Sequence, residues 1–184
     1  MMGIILRRSF AVALAAALVC TSSVAFAGRH RSFGGGGFAS NGTFGLGIEL
    51  GEPSGLNGKY FYQPDKAIDF GLGWVYHHYY GGDGFHLYVD HLWHPTTLVR
   101  AEAFQMPFYI GVGGRIWNFD CGGCNDHANA IGVRVPFGIS FDFNNVPLDV
   151  YIQLVFVADV FINYPGHGFG PGLDGNVGIR FWFD

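Results

Sequence analysis

Charge is scarce in this chain. Of 184 residues, 10 are lysine or arginine and 14 are aspartate or glutamate, a charged fraction of 13% with a formal net charge of −4. A nucleic-acid binder needs a basic face, and neither this balance nor any recognition motif provides one. Long apolar runs are also missing. No segment, the apolar run at the start included, reaches the roughly 20 apolar side chains that a helix needs to cross a bilayer. Yet 49% of the residues are hydrophobic and 17% aromatic, and there are 30 glycines. A strand that is greasy on one side needs only alternate apolar residues, so this composition fits a helical membrane protein badly and a strand-built one well. Glycine is poor in ordinary strands, but inside a narrow barrel it leaves room for long side chains opposite.

The one continuous apolar run lies at the start. Residues 1–27 carry Arg7 and Arg8, an apolar stretch over 10–20, and Ala25-Phe26-Ala27 before Gly28. That is the layout of a secretory signal with a small-x-small cleavage site. Val19 before Cys20 argues against lipidation of that cysteine. Residues 28–41 show no periodicity and include four consecutive glycines, which reads as a flexible leader. Residues 42–184 then form the expected domain.

From residue 42 onward, apolar side chains alternate with polar or glycine positions. Over 67–76, Ile68, Phe70, Leu72, Trp74 and Tyr76 share one face while Asp69, Gly71, Gly73 and Val75 share the other. A period of two means strand. Turn residues divide the pattern into about eight strands, expected over 43–50, 56–63, 67–79, 84–93, 107–118, 130–143, 148–163 and 176–183. Residues 94–106 look irregular, and 164–175 read as a glycine-proline loop. The fold class predicted is all-β, a closed antiparallel transmembrane β-barrel. Its connections at the end nearest the leader should be short, with 94–106 an exception, and those at the other end longer, with 52–55 an exception.

One face collects Phe44, Leu46, Ile48, Leu50, Phe85, Leu87, Val89, Ile110, Val112, Val133, Val135, Ile152, Leu154, Val177 and Ile179, uninterrupted by charge. A lysine or arginine facing mid-bilayer lipid from a barrel costs about 2–4 kcal/mol, so this face is assigned to lipid. Tyr60, Tyr62, Trp74, Tyr76, Trp93 and Trp182 are expected to form interfacial belts. The opposite face collects Glu49, Lys59, Asp69, Asp90, Arg115, Arg134, Asp149, Gln153, Asp159 and Arg180. Charges of both signs sealed in a narrow lumen require mutual pairing, with help from Tyr88, Tyr109 and Tyr151. A soluble ligand-binding barrel of the lipocalin kind would reverse the faces, and its exterior would then be short of charge.

Local chemistry is sparse. Cys121 and Cys124, with His127 three residues on, could form a loop-closing disulfide, hold zinc or copper, or remain as thiols; an oxidising compartment favours pairing. Among the histidines, alternation turns His77 and His86 inward and His78 and His91 outward, with His94 near the rim, which is poor geometry for a metal. Ser54 and Ser140 have no histidine at a recognisable spacing, so no catalytic residues are assigned. The glycines at 34–37 lack the lysine and helix of a phosphate loop, and no cofactor is expected.

The segments GIELGEPSGLNGKYF (47–61), AIDFGLGW (67–74), YVDHLWH (88–94), PFYIGVGGRI (107–116) and GVRVPFGI (132–139) resemble the small outer-membrane β-barrel superfamily that includes the OmpA, OmpX and OmpW membrane domains, and more narrowly a subgroup with no settled activity. The ending Val177, Ile179, Phe181, Phe183 is similar to the signal read by the barrel-assembly machinery, although Asp184 follows it. The resemblance implies a bacterial outer-membrane location after export, with membrane lipids and that machinery as partners. No external partner is identified. The expected role is structural or surface-interacting, with a lumen plugged by charge; the alternative is a narrow channel or a binding protein for a small hydrophobic ligand.

Overall fold

The computed structural model describes residues 38, 40–76, 83–120, 127–164 and 168–183. Eight strands follow one another: β1 Phe44–Gly51, β2 Ser54–Gln63, β3 Lys66–Tyr76, β4 Asp83–Arg100, β5 Phe104–Asp120, β6 His127–Phe143, β7 Leu148–Ile162 and β8 Phe169–Phe183. Each pairs antiparallel with the next, and β8 returns to pair with β1, closing the ring. The expected signal segment, most of the leader, His77, His78, Cys121 and Cys124 lie outside the described residues, as does the side chain of His127.

Parity decides burial along the regular part of each strand. In β4, Phe85, Leu87 and Val89 are exposed while His86, Tyr88 and Asp90 are buried. Closure makes this binding on the whole sheet, because slipping any strand by one residue would exchange its two faces. The near end, where β1 begins and β8 ends, has tight connections at 64–65, 101–103 and 144–147. The opposite, far end includes the turn at Glu52-Pro53, where Gly51 takes a φ of 129° that favours glycine, and Ser54 Oγ accepts from Gly51 N at 3.0 Å.

Several strands run further than their sequence suggests, β4, β5 and β8 most of all. β4 continues to Arg100 and β5 starts at Phe104, so 94–106 is a strand ribbon rather than an irregular stretch. Register shifts between Trp93 and Thr96 and between Thr97 and Val99 break the period of two without ending the pairing. β8 begins at Phe169 and absorbs the expected glycine-proline loop. Proline survives there because Pro171, across from Ala158 of β7, lies beyond Asn176, the last β8 residue paired with β1, so the ladder to β1 needs no N–H from it.

Glycines face the largest inward side chains. Gly71 lies across from Tyr88, Gly138 from Tyr109 and Gly178 from Tyr151. A methyl group on Gly71 would sit 2.6 Å from Tyr88 Cζ and 2.7 Å from its hydroxyl. Trp182 similarly lies over Gly45, whose added Cβ would be 2.9 Å from the indole. This corrects the interfacial placement of Trp182: Phe181 and Phe183 take the outer face, so parity turns the indole inside, where it is 3% exposed. Gly71→Ala is expected to lower the stability of the refolded barrel by about 1–3 kcal/mol, the usual effect of overpacking. Urea titration reads this as a lower midpoint, and an unchanged midpoint would mean that the Tyr88 ring does not lie on that strand.

Candidate functional site

Two aromatic clusters and a charged layer occupy the interior. At the near end Phe38, Phe61, Ala67, Leu92, Tyr109 and Trp182 pack together. Toward the far end Trp117, Phe119, Ala128, Ala130 and Phe161 do the same, with Tyr164 against them. The charged layer holds all nine ionisable side chains expected there: Glu49, Lys59, Asp69, Asp90, Arg115, Arg134, Asp149, Asp159 and Arg180 are each 5% exposed or less.

The three arginines organise most of this layer. Arg180 on β8 grips Asp149 through Nε–Oδ1 at 3.0 Å and Nη2–Oδ2 at 2.7 Å, a fork-to-fork pair. Its Nη1 also reaches Asp69 at 2.8 Å and the Asn57 side-chain oxygen at 3.0 Å, and its guanidinium lies 4.1 Å from the Tyr151 ring centre. Arg115 on β5 binds Asp159 through two nitrogens and Asp174 through a third. Arg134 on β6 donates from Nε to both oxygens of Asp90, at 3.2 and 3.1 Å, and lies 3.9 Å from the Tyr88 ring centre. Among the described residues its Nη1 and Nη2 have no hydrogen-bond acceptor, so the ring face carries part of that charge.

Register creates two acid–acid oppositions that these arginines relieve. Asp69 stands directly across from Asp90, and Asp142 across from Asp149. Like charges so placed repel. Asp69 is held by Arg180, Asp90 by Arg134 and Asp149 by Arg180. Asp142 instead accepts from Gln105 Nε2 at 3.0 Å and from the Asn41 backbone N–H at 3.1 Å.

Acids outnumber bases in the described interior, with seven buried carboxylates against four lysine or arginine side chains. Some carboxylates must therefore be held by neutral donors. Glu49 is one: its Oε2 accepts from Tyr88 at 3.0 Å, Tyr151 at 3.0 Å and Asn176 Nδ2 at 2.8 Å. Lys59 stands apart in the opposite sense. Its Nζ lies 2.9 Å from His94 Nε2, and 4.7 and 5.1 Å from the centres of the Tyr109 and Phe61 rings, with no carboxylate in ion-pair reach among the described residues. His94 Nδ1 faces the Asp65 carbonyl at 3.2 Å. A carbonyl only accepts, so Nδ1 carries the proton and Nε2 accepts from the ammonium.

Several functional residues escaped the sequence. Asp174 fell in the expected loop; Asp142, Asn57 and Asn176 lie inward by parity and were recoverable from it. Phe38 carries no periodic signal, yet it is 4% exposed and stacks on His94 with ring centres 4.9 Å apart. Asn41 is tied to Asp142, the Phe143 carbonyl and Asn144. Of the histidines, His86 and His94 are buried, while His91 points outward to bond Tyr62. Among the described residues no group of three or more His, Cys, Asp or Glu could hold a metal ion.

Removing one partner of a buried pair strands the other charge. Arg134→Ala is expected to lower stability by about 3–5 kcal/mol, and joint replacement by Arg134→Met and Asp90→Leu to recover most of that loss. Urea midpoints of the refolded proteins measure both. An Arg134→Ala midpoint equal to that of the parent would contradict an ordered pair.

No protein-family model matches the chain, and no curated protein is significantly similar to it in sequence. Its fold is similar to that of the N-terminal β-barrel domain of Pseudomonas aeruginosa OprF, with a TM-score of 0.51 and 12% sequence identity over 75% of this chain and 93% of that one. At that identity the likeness shows the fold: a closed antiparallel barrel of eight strands.

Proposed function

We propose that the protein is an integral outer-membrane β-barrel of a bacterium, exported by a cleaved signal over residues 1–27, with a structural or surface-interaction role and a lumen closed by its own side chains. It acts neither as a catalyst nor as a wide conduit. The observation that carries the reading is the inversion of the two faces. Among the described strand residues that point outward, Lys66, Asp83, Arg100 and Asp120 lie at or beyond the strand ends, and no Asp, Glu, Lys or Arg lies between the rims. That wall leaves Ile131, Val133, Ile152, Phe156 and Val160 more than half exposed. Soluble monomers rarely leave more than a few hundred Å² of contiguous apolar surface open to water, whereas a band about 25 Å tall is what a lipid-facing barrel presents.

The tightly paired interior supports closure. Arg115, Arg134 and Arg180 each bridge strands that are not sheet neighbours, and aromatic clusters lie at both ends of the charged layer. Tyr62, Trp74 and Tyr76 are exposed near strand ends, and Trp93 is exposed across from Lys66 at the start of β3, where interfacial anchors belong.

Two measurements on the native membrane fraction and the refolded chain test this. Unheated samples are expected to migrate on detergent gels as a compact form that shifts on boiling, and planar-bilayer recording is expected to show no large steady conductance. Recovery of the mature chain as a freely dissolved periplasmic protein would overturn the membrane reading. Ohmic steps of porin size would overturn the closed lumen.

A further inference from the structure

The near-end cluster contains one member that no strand supplies. Phe38 precedes β1 and takes part in no strand pairing, yet it is as buried as the wall it meets. It fills a cup whose sides are Phe61, Leu92, His94, Tyr109 and Trp182, with Lys59 beneath His94. The Phe38 ring stacks on His94 at an interplanar angle of 22° and lies 5.7 Å from the Phe61 ring. A free-standing side chain has thus been drawn into a site shaped for a planar ring.

Two polar groups of that cup have donor capacity left over. Lys59 presents an ammonium that forms no ion pair among the described residues, although Asp69 stands across from it in the sheet, and it spends one donor on His94. Trp182 presents an indole N–H that has no acceptor among the described residues, at 3% exposure. The Tyr109 hydroxyl already donates to Gln153 at 3.1 Å, and the one imidazole lone pair is taken by Lys59. Buried donors without acceptors are costly, and Phe38 has nothing to offer them. A ligand with an apolar ring and an anionic group would keep the stacking and bring an acceptor to the Lys59 ammonium.

We propose that the near-end mouth is a binding cup for a small aromatic carboxylate, which Phe38 occupies when the ligand is absent. Phe38 can leave without breaking a strand ladder, and the Asn41 contacts with Asp142, Phe143 and Asn144 keep the leader at the rim while it does. The charged layer deeper in the barrel is not opened. The inference goes beyond the proposed membrane role and needs only the folded barrel.

The test uses the refolded full mature chain and its Phe38→Ala variant in detergent micelles, titrated with benzoate, toluene and benzylamine. The Trp182 indole N–H and the His94 ring signals are followed by NMR, so that partitioning into the micelle is not mistaken for binding. Benzoate is expected to move both signals saturably in Phe38→Ala, with a dissociation constant about tenfold or more below that of the parent chain, a difference of ~1.4 kcal/mol. Adding Lys59→Met should remove the preference for benzoate over toluene. Should that double variant not fold, rising chloride should weaken benzoate binding to Phe38→Ala and leave toluene unaffected. Benzoate that moves neither signal in Phe38→Ala, benzylamine or toluene that binds as well as benzoate, or a benzoate preference that survives loss of Lys59 or is indifferent to chloride, would each overturn the proposal.

Discussion

A closed ring of strands leaves no position neutral. Each side chain points either into the lumen or away from it, and the ring has no free edge along its full length at which a strand could slide to a new register. Everything else in the molecule follows from that constraint. The lumen is too narrow to leave charges freely hydrated, so the acids and bases that parity turns inward must find one another. Arginine suits this duty because its planar fork can hold two carboxylates at once and lay its face on an aromatic ring. Arg180 does all of this, joining Asp149, Asp69 and the Tyr151 face.

Buried ion pairs are weak stabilisers in general, since the loss of hydration offsets much of their attraction. Their strength here lies in register. Shifting β8 by one residue would send Arg180 outward and bring Phe181 in, leaving Asp149 and Asp69 without their cation. The glycines opposite Tyr88, Tyr109 and Tyr151 act in the same direction, because each leaves room across the strand for a ring that an added Cβ would meet. Charge and volume therefore specify one pairing of the sheet.

The face of each residue was legible in the sequence, because it depends only on local alternation: Glu49, Asp90 and Arg134 could be turned inward by counting. Who meets whom could not be read. Arg134 on β6 takes its partner from β4, Arg115 on β5 from β7, and Arg180 on β8 from β3, contacts that barrel closure and strand stagger set together. The reading of strand limits failed where the pattern itself fails. Register shifts hid the β4–β5 ribbon, and glycine and proline hid the start of β8 and with it Asp174, although Pro171 lies beyond the stretch of β8 paired with β1. Lys59 lies inward as parity places it, but its hydrogen-bond partner is His94, while Asp69, across from it in the sheet, is held by Arg180. Phe38 left no trace, since a single side chain outside the strands has no period to reveal it.

The whole account depends on which solvent the outer wall meets. Nitroxide labels on cysteines substituted at Val133 and Ile152, in the chain refolded into phospholipid vesicles, report that contact through collisions with dissolved oxygen, which concentrates in acyl chains, or with a water-borne nickel chelate. At both sites oxygen should dominate and the chelate be excluded. Ready access of the chelate to both labels would contradict the assignment of that wall to lipid.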